Sequence, residues 1–259
     1  FDQQAAEGWK IFSEACRNYP LSNMIQYFGP AADGVIWPLY LYPHDAELLP
    51  TWLLNGGKVS GDNLCECLEN HTLDEAAALF GRLAEEWDRG VRIFASMRDA
   101  FRNSPERLRD IGIAEALGIH FSTAANILCF YRLRRQFFLS GNPALLKEMK
   151  EIVENEIEAR RKLLPLMKED PRLGFHPEAE DRKYTHAGVE KSIVQLRGLL
   201  ENEFGIPAEE ILEKEKRILR GKDSYVLGGG PCKCPDFTWS AKIRDGRLRL
   251  HVLCPGRNP

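Results

Sequence analysis

Ile119-His120-Phe121-Ser122-Thr123-Ala124-Ala125-Asn126-Ile127-Leu128-Cys129-Phe130-Tyr131 is apolar on almost every side of a helical wheel. A helix that is greasy all round must be covered all round, so this run marks the central helix of a bundle. The apolar pattern extends from Leu108 to Leu139. Ser104-Pro105-Glu106 opens it, with a capping residue and Pro at the first helical position. Ser140-Gly141-Asn142-Pro143 closes it and begins the next helix.

The flanking segments are helical too. Asp2 can cap a first helix with Trp9, Phe12, Cys16 and Tyr19 inward, stopped by Pro20. Thr72-Leu73-Asp74-Glu75 is a capping box. It starts a helix whose face carries Leu73, Ala76, Phe80, Leu83, Trp87, Val91 and Phe94. After Pro143, Leu146, Met149, Val153, Ile157 and Leu164 recur at helical spacing, with Glu151, Glu154, Glu158 and Arg161 on the solvated side. Pro165 should kink or end that helix. Thr185 caps another helix carrying Val189, Ile193, Leu196, Leu200 and Phe204, and Gly205 stops it. Pro207 opens a short charged helix to about Leu219. Cys129 and His120, both in the central run, read as buried filler and a satisfied core group.

Composition changes after residue 220. Residues 221–235 form a Gly-rich linker, and 236–259 read as a β-hairpin that starts a second domain. A two-residue Asp245-Gly246 loop places Ile243 opposite Leu248, Ala241 opposite Leu250, Trp239 opposite Val252 and Phe237 opposite Cys254. One greasy face on a lone hairpin needs a partner, either the helical body or the missing strands of a sandwich. The expected architecture is therefore mainly α: a multi-helix bundle over 1–220 with long aromatic-rich loops, followed by the hairpin of a truncated β-sandwich. The chain opens in helix without Met and stops just after a strand, which reads as a piece of a longer polypeptide.

The 259 residues are 44% hydrophobic, enough for a sizeable core. A net charge of -3 provides no basic excess to neutralise phosphates, which argues against nucleic acid as a partner. No run of about 20 apolar residues predicts a membrane crossing. The seven cysteines include two C-x-C pairs, Cys65/Cys67 and Cys232/Cys234, whose spacing does not suit a zinc site. Read as free thiols, they lean the compartment towards a reducing, cytoplasmic one. No cofactor motif is present: neither a nucleophile elbow, nor a phosphate-cradling loop, nor HExxH.

Two irregular stretches carry what chemistry there is. Tyr27-Phe28-Gly29-Pro30-Ala31-Ala32-Asp33-Gly34-Val35-Ile36-Trp37-Pro38-Leu39-Tyr40 gathers aromatics around one carboxylate. Sugar rings suit such a surface: their C–H faces stack on aromatics and their hydroxyls need acceptors. Residues 170–184 concentrate His176, Glu178, Glu180, Asp181 and Tyr184, with Arg172, Arg182 and Lys183 available to pair with the acids. That stretch can be a salt-bridged connector, a sugar-recognition loop, or a catalytic carboxylate pair. Glycoside hydrolysis needs two carboxylates at a set separation, which one short loop does not fix.

Tyr27-Phe28-Gly29-Pro30 through Asp33-Gly34 to Trp37-Pro38-Leu39, then Pro50-Thr51-Trp52, then Asp170 to Asp181 with Phe175-His176-Pro177-Glu178, resemble the helical region of large bacterial glycoside-hydrolase-like proteins. The resemblance covers nearly the whole chain. It implies a (β/α)8 catalytic barrel before the helical domain in the same polypeptide and a carbohydrate-binding type of β-sandwich after it. It also implies that the helical domain packs near the barrel's active-site face and lends residues to the sugar site. It places no catalytic pair on this chain. The expectation is an accessory domain, not catalytic alone, that lines a pocket for an oligosaccharide or polysaccharide. Tyr27, Trp37 and Tyr40 would contact sugar rings, and Asp33, His176, Glu178 and Glu180 would bind hydroxyls. A self-contained hydrolase using Glu178 and Glu180 or Asp33, and a plain structural or interaction module, are the alternatives.

Overall fold

The computed structural model describes residues 2–22, 25–26, 29–42, 64–68, 70–176, 181–219, 238–244 and 247–253. It is mainly helical. The longest elements are α1 (Asp2–Ala15), α4 (Leu73–Ser96), α5 (Pro105–Ser140), α6 (Ala144–Glu169), α7 (His186–Asn202) and α8 (Ala208–Leu219). Two single turns, α2 (Pro30–Asp33) and α3 (Cys65–Leu68), lie between α1 and α4. α1 packs on α4, α4 on α5, α5 on α6 and α6 on α7, so α5 runs through the middle of the bundle.

Local chemistry sets the helix ends. Thr72 Oγ1 accepts from Glu75 N at 3.1 Å, and the Glu75 carboxylate accepts from Thr72 N at 2.8 Å. This reciprocal pair satisfies two N–H groups that the first turn of α4 leaves without helical partners. α5 stops at Gly141, whose left-handed φ of +69° lets its N–H reach Phe137 O at 2.8 Å. Thr185 Oγ1 accepts from Gly188 N and caps α7.

Two expectations need correction and one is narrowed. α1 turns Phe12 and Ala15 inward, while Trp9 is 59% exposed and Cys16 is exposed. The reason is close approach: a Cβ on Gly8 would lie 2.4 Å from the Phe94 ring, and Phe12 stacks on Trp87 at 4.1 Å. Only the glycine face of α1 can come that near α4. Of the two outcomes expected at Pro165, ending the helix does not occur: α6 continues to Glu169 with the proline inside it. By length and composition α5 meets the requirement for a membrane crossing, against the expectation that the chain holds no such run. Here it lies between α4 and α6, with buried Thr123 and Arg134 on it and Leu117 and Leu139 exposed.

β1 (Phe175–His176) and β2 (Asp181–Arg182) form a short antiparallel pair with Phe175 opposite Arg182. β3 (Thr238–Arg244) and β4 (Arg247–Leu253) pair with Trp239 opposite Val252 and Ile243 opposite Leu248. The expected linker over 221–235, Phe237 and Cys254 lie outside the described residues.

Candidate functional site

The segment 29–42 has no helical period, yet it is not a surface loop. Asp33, Gly34, Val35, Ile36, Trp37, Leu39, Leu41 and Tyr42 are all buried. A buried irregular backbone is tolerated only if its polar groups find partners. Here side chains from two helices supply them. On α5, Tyr131 Oη donates to Pro38 O at 2.8 Å and accepts from Tyr40 N at 3.3 Å. Arg134 Nη1 donates to Tyr40 O at 2.9 Å. On α7, Ser192 Oγ donates to Val35 O at 3.0 Å and Gln195 Nε2 donates to Leu39 O at 2.7 Å.

His120 Nε2 lies 2.6 Å from Ala31 O. A carbonyl only accepts, so this nitrogen carries the proton. Burial holds the His120 pKa below its usual value, partly offset by that hydrogen bond, and nearby Lys183 pushes the same way as burial. The imidazole is thus neutral at physiological pH, in keeping with a satisfied core group. Gly34, at φ +56°, makes room for it: a Cβ there would lie 2.6 Å from His120 Nδ1.

A second buried network lies beneath. Glu156 and Arg160, one turn apart on α6, form an ion pair with both side chains fully buried. Asn126 Nδ2 donates to Glu156 Oε1 at 2.7 Å, and Arg160 Nε donates to Ser192 Oγ at 2.5 Å. The chain of bonds therefore runs from α5 through α6 and α7 to the carbonyl of Val35.

The two motif-bearing stretches meet. Lys183 Nζ lies 3.4 Å from Asp33 Oδ1, across 150 residues of sequence. Their side chains are 10% and 4% exposed. Burial lowers the Lys183 pKa and the Asp33 carboxylate pulls it back up. Val35 and Ile36 share a small core with Leu163 and Val189, against which Leu173 and Tyr184 pack. The same turn is held by Gly174 at φ +84°, where a Cβ would lie 2.4 Å from Tyr184 O. Lys183 N donates to Gly174 O at 2.7 Å.

The expected site residues fall unevenly on this frame. Trp37 is 2% exposed and belongs to the main core, so its ring has no open face for stacking. Asp33 is buried and engaged by Lys183, so it is not presented to solvent for an incoming hydroxyl. Tyr40 is half-buried, its backbone held at both ends by α5. Tyr27, Glu178, Glu180 and the His176 side chain lie outside the described residues. Two of the three cations of residues 170–184 have described acid partners: Arg172 grips Asp170 of the same stretch with Nε and Nη2, and Lys183 reaches out of the stretch to Asp33. Among the described residues of these two stretches, the aromatic displayed is Phe175, 49% exposed on β1. Sequence reasoning gave it no role, nor Tyr131, Arg134, Ser192 and Gln195, and it named Lys183 only as a partner for the acids of its own stretch. Arg134 could have been noticed because helical spacing puts it on the same face as Ile127, Phe130, Tyr131 and Phe137.

No protein-family model, curated protein or solved structure matches this chain. Among the described residues, no cluster of three or more His, Cys, Asp or Glu could hold a metal ion.

Proposed function

We propose that the chain is a non-catalytic helical module, accessory to a carbohydrate-active hydrolase, that presents Phe175 on the paired strands β1 and β2 to a glycan. The observation that carries this reading is the Asp33–Lys183 pair, which ties the residue after β2 to a loop buried in the bundle. A strand pair braced from beneath pre-organises the ring it displays, which lowers the entropy cost of binding. It displays Phe175, and a half-exposed aromatic ring offers a stacking face for a sugar. In this reading Asp33 and Trp37 support the contact surface from below and do not touch the ligand.

The test is an amide NMR titration of the chain with neutral hexasaccharides. Expected are shifts centred on residues 172–184, with affinity weakened about 5-fold by Phe175→Ala, the loss expected for one aromatic contact of ~1 kcal/mol. Shifts clustered elsewhere, or binding indifferent to Phe175→Ala, would reject the glycan contact. Cleavage of aryl glycosides by this chain alone would reject the non-catalytic role. The second reading, a plain structural module, is favoured by the sealed Trp37 ring and predicts no glycan-dependent shift at all.

A further inference from the structure

α8 is a short helix with one inward stripe. Ile211 is fully buried, and Leu212 and Ile218 pack against the main core. Positions 211, 215 and 218 share that face by helical spacing. The middle position is a carboxylate. Glu215 is 6% exposed, and its Oε1 has no hydrogen-bond partner among the described residues. An acid on the apolar stripe of a docking helix conflicts with the pattern around it, and burying it ionised is costly.

Its described surroundings relieve only part of that cost. Arg134, on α5, is the cation facing it, but Arg134 is itself buried, donates to Tyr40 O and lies over the Tyr131 ring at 4.7 Å. Lys216, the other nearby cation, bonds Glu213 on the outer side of α8. At the adjoining end of the loop, Lys214 Nζ lies 4.1 Å above the Tyr42 ring. Glu203, Glu210 and Arg217 also face Tyr42, whose pKa is pushed up to about 12, chiefly by burial.

We propose that Glu215 is a pH-operated latch: losing its proton loosens the docking of α8 against Arg134 and the 40–42 end of the buried loop. Because Arg134 also holds the Tyr40 carbonyl, release of α8 uncovers one of the groups that fix the loop.

Burial pushes the Glu215 carboxyl up to about 7, with Arg134 and Lys216 opposing. The docked helix therefore binds a proton more tightly than the released one. A raised acid contributes fully below its released value and loses that contribution as pH rises through its docked value. Between pH 5.5 and pH 8.5, linkage raises the opening equilibrium of α8 about 30-fold.

Hydrogen exchange of residues 208–219, corrected for intrinsic rates, reads that equilibrium directly. The expected result is a roughly 30-fold rise in opening for the native chain and less than about 2-fold for Glu215→Gln. Glu209→Gln, on the exposed side of α8, should keep the full rise. A flat profile in the native chain overturns the proposal without any variant, as does an undiminished rise in Glu215→Gln. A carboxyl 13C titration of Glu215 checks the same group independently: a midpoint near 7 is expected, and one near the ordinary glutamate value of 4.5 overturns the proposal.

Discussion

Replacing Glu156 with Gln would remove one negative charge from a fully buried site and leave the Arg160 guanidinium behind. Both side chains are fully buried, so water cannot solvate what remains. Arg160 keeps its bond to the Glu156 backbone carbonyl at 3.0 Å and to Ser192 Oγ at 2.5 Å, but loses its counter-charge. Burial already lowers the Arg160 pKa, and Glu156 is what opposes that effect. Breaking one partner of a buried pair costs about 3–5 kcal/mol, because the surviving ion is uncompensated. At about 2–4 °C per kcal/mol for a chain of this size, Tm should fall by roughly 6–20 °C. Urea denaturation and calorimetry would measure both numbers. Glu154→Gln, on the exposed face of the same helix, should shift stability by no more than about 0.5 kcal/mol. The double change Glu156→Met with Arg160→Met removes both charges and should cost far less than Glu156→Gln alone, since a buried pair replaced by apolar groups is often neutral. The reasoning fails if Glu156→Gln costs less than about 1 kcal/mol, or if the double variant is as unstable as the single one.

Two other outcomes follow from the same frame. Gly34→Ala places a Cβ 2.6 Å from His120 Nδ1 at a φ of +56° and should cost about 1–3 kcal/mol, whereas Gly81→Ala, mid-helix with open space around it, should stabilise by roughly 0.5–1 kcal/mol; chemical denaturation that ranks them the other way would refute the close approach. The Arg172 hydrogen bonds hold the Asp170 carboxyl below its usual value, so its contribution is present above about pH 4 and lost as pH falls through the lowered value; the stability gap between native chain and Asp170→Asn should close in acid, and a gap that stays constant from pH 6 to pH 2.5 would exclude the pair as its source.

Much of the helical frame could be read in advance because its causes are local. A capping box needs only Thr72 and Glu75 three residues apart, and a left-handed stop needs only Gly141. Stripes such as Leu73, Phe80, Leu83 and Trp87 on α4 identify an inward face by spacing alone. The same logic misjudged α1, where Trp9 fits the stripe by type but the helix approaches through Gly8. Spacing says which residues share a face, and close contact decides which face is used.

What the amino-acid order determined by itself, then, is a set of amphipathic helices and the two aperiodic stretches between them. Only the tertiary structure decided what those stretches do. Asp33 and Lys183 are separated by 150 residues, and nothing local pairs them. Trp37 and Phe175 are both aromatics in irregular sequence, yet one is sealed at 2% and the other stands 49% exposed. An aperiodic segment carries no face signal, so the burial of each ring depends on which helices supply donors to its backbone. Tyr131, Arg134, Ser192 and Gln195 supply them beneath residues 35–40, and that is why this loop lies inside the protein.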